Sequence, residues 1–257
     1  MCRNHISCEN LIQFQKLKII ITIYSFDYLQ KLEVNLNFRG FFLSIYSFFS
    51  LLFVIFFMFI FKTKIHQIRK FWSTSMVKLI GADVKQIGKF NKDADVILLN
   101  HNSMLDVVLL DYLHPKDIAW VANEKLTKVP VFGWIFKLTN LIIINPRKPS
   151  SVDVLITRIK EELSNNRPIG IFPEGTRGDN DKIIRFKKGI KNISEDLNLK
   201  IQPIVLLGTQ ERLDTKTFKA NSGEVKVIYL DTIESYSENW YKELENEFNE
   251  VYKKYKG

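Results

Sequence analysis

From Phe41 to Phe61 the chain reads FFLSIYSFFSLLFVIFFMFIF, without one charged side chain. A helix over this run, at about 1.5 Å per residue, reaches roughly 30 Å, the thickness of a bilayer's hydrocarbon core. A helix buried in a soluble core rarely stays apolar on every face for so long. A cleaved signal peptide fits worse, because the run is too long, starts too far in and lacks a small-residue cleavage site. Lys62, Lys64, Arg69, Lys70 and Lys78 follow the run closely, against Lys31 and Arg39 before it. The positive-inside rule puts the side with more Lys and Arg in the cytoplasm. The expectation is a tail at 1–40, a spanning or membrane-embedded helix at 41–61, and a body at 62–257 on the cytoplasmic side.

Behind that helix, Ile65, Ile68, Trp72, Met76 and Leu79 recur at helical spacing among Arg69, Lys70 and Lys78. Two placements fit this pattern: along the membrane interface with Trp72 at headgroup level, or packed on the domain core. Within the tail, LKIIITIYSF is too short to span, and strand, interfacial piece and disorder all remain open.

Beyond Gly81 short apolar runs alternate with helical patterns. Strands are expected at Asp95–Asn100, Ile118–Asn123, Leu141–Asn145, Pro168–Phe172, Ile201–Leu207 and Val225–Leu230. A helix to about Ser164 opens on the capping-box-like Ser150-Ser151-Val152-Asp153. Trp240, Leu244, Phe248, Val251 and Tyr255 form one stripe of a C-terminal docking helix. Strands alternating with helices argue an α/β fold, a mainly parallel sheet covered on both faces. No internal repeat or long linker divides it.

The formal net charge of +9 admits an anionic membrane surface or a phosphorylated substrate. The basic residues form no single block, and no zinc-finger or RNA-binding aromatic pattern appears, so no nucleic-acid partner is expected. Both cysteines, Cys2 and Cys8, lie in the tail, which excludes a thiol nucleophile or cysteine-ligated zinc from the body.

Two stretches carry chemistry. In VILLNHNSMLD, His101 and Asp106 lie about 140° apart on an ideal helix, so they cannot share a helical face. Across a strand-to-helix turn, however, the Asp106 carboxylate can fix one imidazole nitrogen and leave the other as a general base. A purely structural reading competes: Ser103 to Asp106 fits a helix N-cap. A serine hydrolase using Ser103 is disfavoured by poor geometry and the lack of a G-x-S-x-G elbow, and two groups without a third ligand make a poor metal site. In PIGIFPEGTRGDNDKIIRFKKG, an apolar strand runs into Pro173, Glu174, Gly175, Thr176 and Arg177. Gly175 allows a tight turn that exposes backbone N–H groups, and Arg177 offers a planar fork to phosphate, with Lys187 and Lys188 as further charges. Glu174 would repel that phosphate, which suits it better to a hydroxyl or to orienting a cation.

Together these stretches resemble the motifs of glycerolipid acyltransferases. NHNSMLD is similar to their H-x4-D motif, FPEGTR to their third motif, and IQPIVLLGT to their fourth. The hexapeptide arises by chance in such a chain only on the order of a few times per million, which makes it the more specific signal. The resemblance runs from about Ile65 to Thr209 and is closest to the 1-acyl-sn-glycerol-3-phosphate acyltransferase family. It implies that His101 deprotonates an acceptor hydroxyl with Asp106 in support. It further implies that Glu174, Gly175, Thr176, Arg177, Arg147 and Lys187 hold the glycerol phosphate. The implied partners are lysophosphatidic acid or a related lysolipid, an acyl-CoA or acyl-carrier-protein thioester as co-substrate, and membrane lipid. No bound cofactor and no metal are implied. Other lysolipid acceptors, such as lyso-ornithine lipid, and a non-catalytic lipid-binding protein remain the alternatives. The sequence departs from the family pattern in NLIIINPR, where Asn140 replaces a glycine, Asn145 an acid, and Pro146 displaces Arg147. In VANEKL, Asn123 stands for a lysine, with Lys125 and Lys128 nearby.

Overall fold

The computed structural model describes residues 38–129, 132–145, 151–178 and 182–256. The LKIIITIYSF stretch, Ser150 of the capping box, and Pro146, Arg147 and Lys148 lie outside the described residues.

Helix α1 spans Phe38–Ile60, and a 3-10 turn at Lys62–Lys64 reverses the chain into α2, Ile65–Ile80. The two helices lie antiparallel. Arg39 Nη2 donates to Ile80 O at 2.8 Å, Ser47 Oγ lies 3.7 Å from Met76 Sδ, and Trp72 Nε1 donates to Ser50 Oγ at 3.0 Å. Arg39 thus sits inside the helix that the apolar run opens, with its charge on the carbonyl end of α2, where a cation is favourable.

The body is a seven-stranded sheet built from β1 (Ala82–Ile87), β2 (Val96–Leu99), β3 (Ala119–Asn123), β4 (Ile142–Ile144), β5 (Ile169–Ile171), β6 (Ile201–Leu207) and β9 (Gly223–Tyr229). Its order is β1-β9-β6-β2-β5-β3-β4, and every pair is parallel except β6 with β9. Helices α2 and α3 (Leu105–Leu113) cover one face over Ile97, Leu99, Ile204 and Leu206. Helices α5 (Ser151–Ser164), α6 (Gly189–Leu197) and α8 (Trp240–Lys256) cover the other, over Val96, Leu98, Ile169 and Val205. Both faces of β2 and β6 are buried, which is why these strands read as unbroken apolar runs. The smaller elements are α4 (Phe132–Leu138), the short helix α7 (Thr209–Arg212) and a hairpin of β7 (Leu213–Asp214) with β8 (Lys219–Ala220).

The expected strands and covering helices are present, and three features differ from expectation. Strand β1 carries the half-exposed ADVKQI on a sheet edge, paired only to β9, so its polar alternation hides it. The buried face of α2 is Arg69, Ser73, Met76, Val77 and Ile80, while Leu79 faces out. It packs on α3, and Trp72 bonds to Ser50 of α1. On α8, Tyr241 and Tyr252 join Trp240, Leu244 and Phe248 in the core, while Val251 and Tyr255 are only partly covered.

Arg69 can be buried because two carboxylates meet it. Its guanidinium pairs with Asp111 at 2.5 Å and Asp117 at 2.9 Å. Asp117 in turn pairs with Arg167 at 2.8 Å, and Arg167 pairs with Glu162 of α5. Removing one member of such a cluster leaves an uncompensated buried charge, which typically costs about 3–5 kcal/mol. The cluster therefore ties α2, α3 and α5 to fixed positions around the sheet.

Candidate active site

Strands β2 and β5 are adjacent and parallel, with Leu98 opposite Ile171, so their carboxyl ends stand side by side. The chain leaving β2 turns to the α2–α3 face, whereas the chain leaving β5 proceeds to α6 on the opposite face. A crevice opens where consecutive crossovers part in this way, and α/β sheets bind ligands there. His101 follows β2, and the segment Phe172–Gly178 follows β5.

His101 is held on every side but one. Its Nδ1 lies 2.8 Å from Asp106 Oδ2. The same oxygen accepts the backbone N–H of Asn102 at 2.7 Å and of Ser103 at 2.8 Å. One carboxylate in the first turn of α3 therefore ties down the loop and the imidazole together. Asp106 is fully buried, and its Oδ1 has no hydrogen-bond partner among the described residues. The His101 backbone is clamped from across the crevice, with its N–H donating to Glu174 Oε1 at 2.8 Å and its carbonyl accepting from Gly178 N at 2.7 Å. Its ring stacks on Phe172, centroids 3.8 Å apart and planes 19° from parallel. Phe172 in turn stacks on Trp120, whose indole N–H donates to Asp111 of the buried ion cluster. A Cβ at Gly170 would meet the Trp120 ring at 2.6 Å, so the glycine makes room for this stack. Carboxylate on Nδ1 fixes that nitrogen as the donor, which leaves Nε2 as the acceptor.

Ser103 is no nucleophile: its Oγ accepts from Leu105 N at 3.1 Å and donates to Leu213 O at 2.5 Å. Among the described residues no group of His, Cys, Asp or Glu could hold a metal ion.

The FPEGTR segment places its members differently from one another. Gly175 turns the chain at φ 69°, as the tight turn requires, and Thr176 is exposed beside it. Arg177 donates to Thr215 Oγ1 at 3.3 Å. Burial lowers its pKa, opposed by the carboxylates of Asp106 and Asp214. The Lys187 stem lies against the Gly175 turn, whereas Lys188 lines a surface groove between α6 and α8. Glu174 is not a hydroxyl or cation ligand as read from the sequence: it is fully buried behind the site. Its second oxygen accepts Ile184 N at 2.7 Å, so both oxygens hold backbone.

The departures from the family pattern have local explanations. Asn140 takes φ 50°, a left-handed conformation that asparagine tolerates better than most side chains, so it can stand for glycine. Asn123 caps the 3-10 turn Glu124–Lys128 by accepting Lys125 N, and Asn145 donates to Glu124. Sequence reasoning missed Phe172, Trp120 and Asn100. The last brackets Leu206 of β6 with bonds of 2.9 and 2.7 Å, fixing where β2 ends. Period-two spacing of Gly170 and Phe172 was the available signal, but only β3 alongside β5 gives it meaning.

Residues 81–207 match the family model described as Acyltransferase. The 1-acyl-sn-glycerol-3-phosphate acyltransferase of Helicobacter pylori is 36% identical over 180 residues, covering 69% of this chain and 76% of that one. The Saccharomyces cerevisiae protein of the same name is 29% identical, covering 68% of this chain and 59% of its own. A crystal structure of the 1-acyl-sn-glycerophosphate (LPA) acyltransferase from Thermotoga maritima superposes with a TM-score of 0.68. It covers 89% of this chain and 98% of that one at 21% identity, and so shows the shared fold.

Burial pushes the Glu174 carboxyl from 4.5 up to about 7, against two backbone N–H donors that lower it, with Asp106 also raising it. Between those values the folded state holds a proton that the unfolded state has released. The stability owed to this group is therefore present below 4.5 and is lost as pH rises through about 7. Glu174→Gln should remove that slope. Denaturant midpoints of both proteins across this range test it, and parallel pH profiles would reject the assignment.

Proposed function

The chain belongs to the 1-acyl-sn-glycerol-3-phosphate acyltransferase family, and from that premise we infer how its own residues make phosphatidic acid. The reaction moves a fatty acyl group from a thioester to the free hydroxyl of 1-acyl-glycerol-3-phosphate. His101 is the general base: Nε2 takes the hydroxyl proton, the oxygen attacks the thioester carbonyl carbon, and the tetrahedral adduct collapses with loss of thiolate. The imidazolium returns its proton to that sulfur. Asp106 stabilises the imidazolium and fixes the tautomer, an arrangement worth roughly 10²- to 10⁴-fold in rate for the base alone. The observation that carries this reading is the His101–Asp106 bond inside a loop clamped from three directions. The thioester is acyl-CoA or acyl-carrier protein, and the thioester bond supplies the driving force without a bound cofactor.

Arg177 takes the acceptor phosphate, with the Gly175–Thr176 turn and Lys187 beside it. In support, Arg177 is partly buried in a crevice wall and is not paired within hydrogen-bond distance to any carboxylate among the described residues. Arg147 is a further phosphate ligand on the resemblance alone. Helix α1 embeds in the membrane and keeps the body, 62–257, against the cytoplasmic surface, beside an acceptor that partitions into lipid. Its length, the uncharged aromatic surface it presents from Phe41 on, and the basic residues of α2 support this. The hydrogen bonds along α2 favour a helix lying against the body over one projecting freely from it.

Three outcomes test these assignments. His101→Ala and Asp106→Asn should each lower turnover by about two to four decades while the domain stays folded. Near-normal rates in either purified variant would refute the base. Losing a charge-assisted bond contributes about one to two decades, so Arg177→Ala should raise KM for lysophosphatidate by that amount, and lysine should restore only part of it. Unchanged affinity would move the phosphate site elsewhere. In sealed inverted vesicles, protease should reach both the body and a tag at residue 1. A tag protected there while the body is cut would make α1 a span.

A further inference from the structure

The β7–β8 hairpin is not used by the chemistry, yet it touches both the site and the apolar helix. On one side Leu213 O accepts Ser103 Oγ at 2.5 Å, and Thr215 Oγ1 accepts Arg177 Nη1 at 3.3 Å. On the other, the backbone of Phe218 and Ala220 lies so close to Gly40 of α1 that a Cβ there would stand 2.0 Å from Phe218 O. Four residues, Thr215 to Phe218, close the hairpin, and Asp214 fixes them by accepting Lys216 N at 2.8 Å and Thr217 Oγ1 at 2.7 Å. The loop is therefore shaped, and its last residue is anomalous. Phe218 sits at φ 53°, where hairpins favour glycine or asparagine, and is 60% exposed. A bulky aromatic that is both strained in backbone and open to water marks a functional constraint. Exposed Lys216 and Lys219 flank it. Beside it begins the apolar surface of α1, with Phe38 72% and Phe42 65% exposed.

We propose that the Asp214–Lys219 hairpin is a second membrane contact, whose occupant is an anionic lipid surface. Phe218 enters the acyl-chain boundary next to α1, and Lys216 and Lys219 meet the headgroups. Because the same loop carries Thr215 to Arg177, it sets the height of the phosphate site relative to the membrane. A lysolipid then needs to rise only by its headgroup to reach Arg177 and His101. The aromatic tip with flanking lysines, continuous with the apolar helix, supplies both terms of such binding. The proposal rests on the reading of α1 as lipid-embedded.

The test uses the full chain with Cys2→Ser and Cys8→Ser and one new thiol, Phe218→Cys or Asn239→Cys, the latter just before α8, whose Trp240 packs on the sheet face opposite the hairpin. Each carries an environment-sensitive fluorophore and is mixed with vesicles of zwitterionic and anionic phospholipid bearing nitroxides on their acyl chains. The label at 218 should be quenched and that at 239 should not. Flotation of the protein with the vesicles reports on α1 separately: no flotation refutes the embedded helix, whereas flotation with equal quenching at both positions overturns the hairpin contact. A kinetic arm uses Phe218→Asn, which suits the left-handed backbone and so preserves the loop. KM for lysophosphatidate held in vesicles should rise about tenfold, with that for a short-chain, monomeric lysophosphatidate unchanged. An equal change for both acceptors, or none for either, would also reject the proposal.

Discussion

The peptide of His101 is bonded at both ends to the segment that follows β5. Its N–H goes to Glu174 and its carbonyl to Gly178, so the two loops at the carboxyl ends of β2 and β5 form a single object. Neither loop has secondary structure of its own to hold it. Two short parallel strands support them from below, and Asp106 and Leu213 hold the first loop from the side. Cross-bonding turns two strand ends into a wall with the imidazole fixed in it. The Glu174 carboxylate is suited to this task because it has two oxygens and meets two backbone donors, His101 N and Ile184 N. Burying it in this way exacts a desolvation cost, visible in its raised pKa.

Behind that wall the support is aromatic and then ionic. The imidazole stacks on Phe172, Phe172 on Trp120, and the indole N–H reaches Asp111, which Arg69 holds. The order is physically sensible. Charges taken out of water need exact partners and so make rigid anchors, whereas stacked rings transmit position without placing a competing charge beside the imidazole. Asp106 completes the set from the side, with one oxygen serving two backbone donors and the imidazole. An imidazole held this way has little orientational freedom to lose when a ligand arrives.

Helix α1 is attached to the body by a different logic. Helix α1 keeps its aromatic residues outward, and only Gly40, Leu43 and Met58 are buried against the body. Beside the apolar contacts of Leu43 and Met58, its attachments are polar or small residues: Arg39 on the end of α2, Ser50 on Trp72, and Gly40 on the hairpin backbone. Apolar contact alone would be a poor attachment for a helix in lipid, since lipid tails compete for it on equal terms. Hydrogen bonds and close backbone approach are selective where apolar area is not.

By itself the sequence determined those features that depend on neighbours along the chain. The uncharged run dictated a membrane-length helix, and unbroken apolar runs dictated β2 and β6, because burial on both faces leaves no polar position to interrupt them. A capping-box-like start announced α5, and the short-range pairing of His101 with Asp106 followed from a turn of a few residues. Tertiary structure alone decided what depends on partners far away in sequence. Arg69 reads as one of several basic residues beside a membrane helix until Asp111 and Asp117 arrive from 42 and 48 positions later. Glu174 reads as a ligand until the backbones of His101 and Ile184 close around it. Edge strand β1 and the two-residue strands of the hairpin have no pattern of their own, because each is stabilised mainly by what it touches. Local physics can write an element into a stretch of sequence; which of its charged groups are buried is settled only when distant groups of opposite charge, or backbone donors, come within reach.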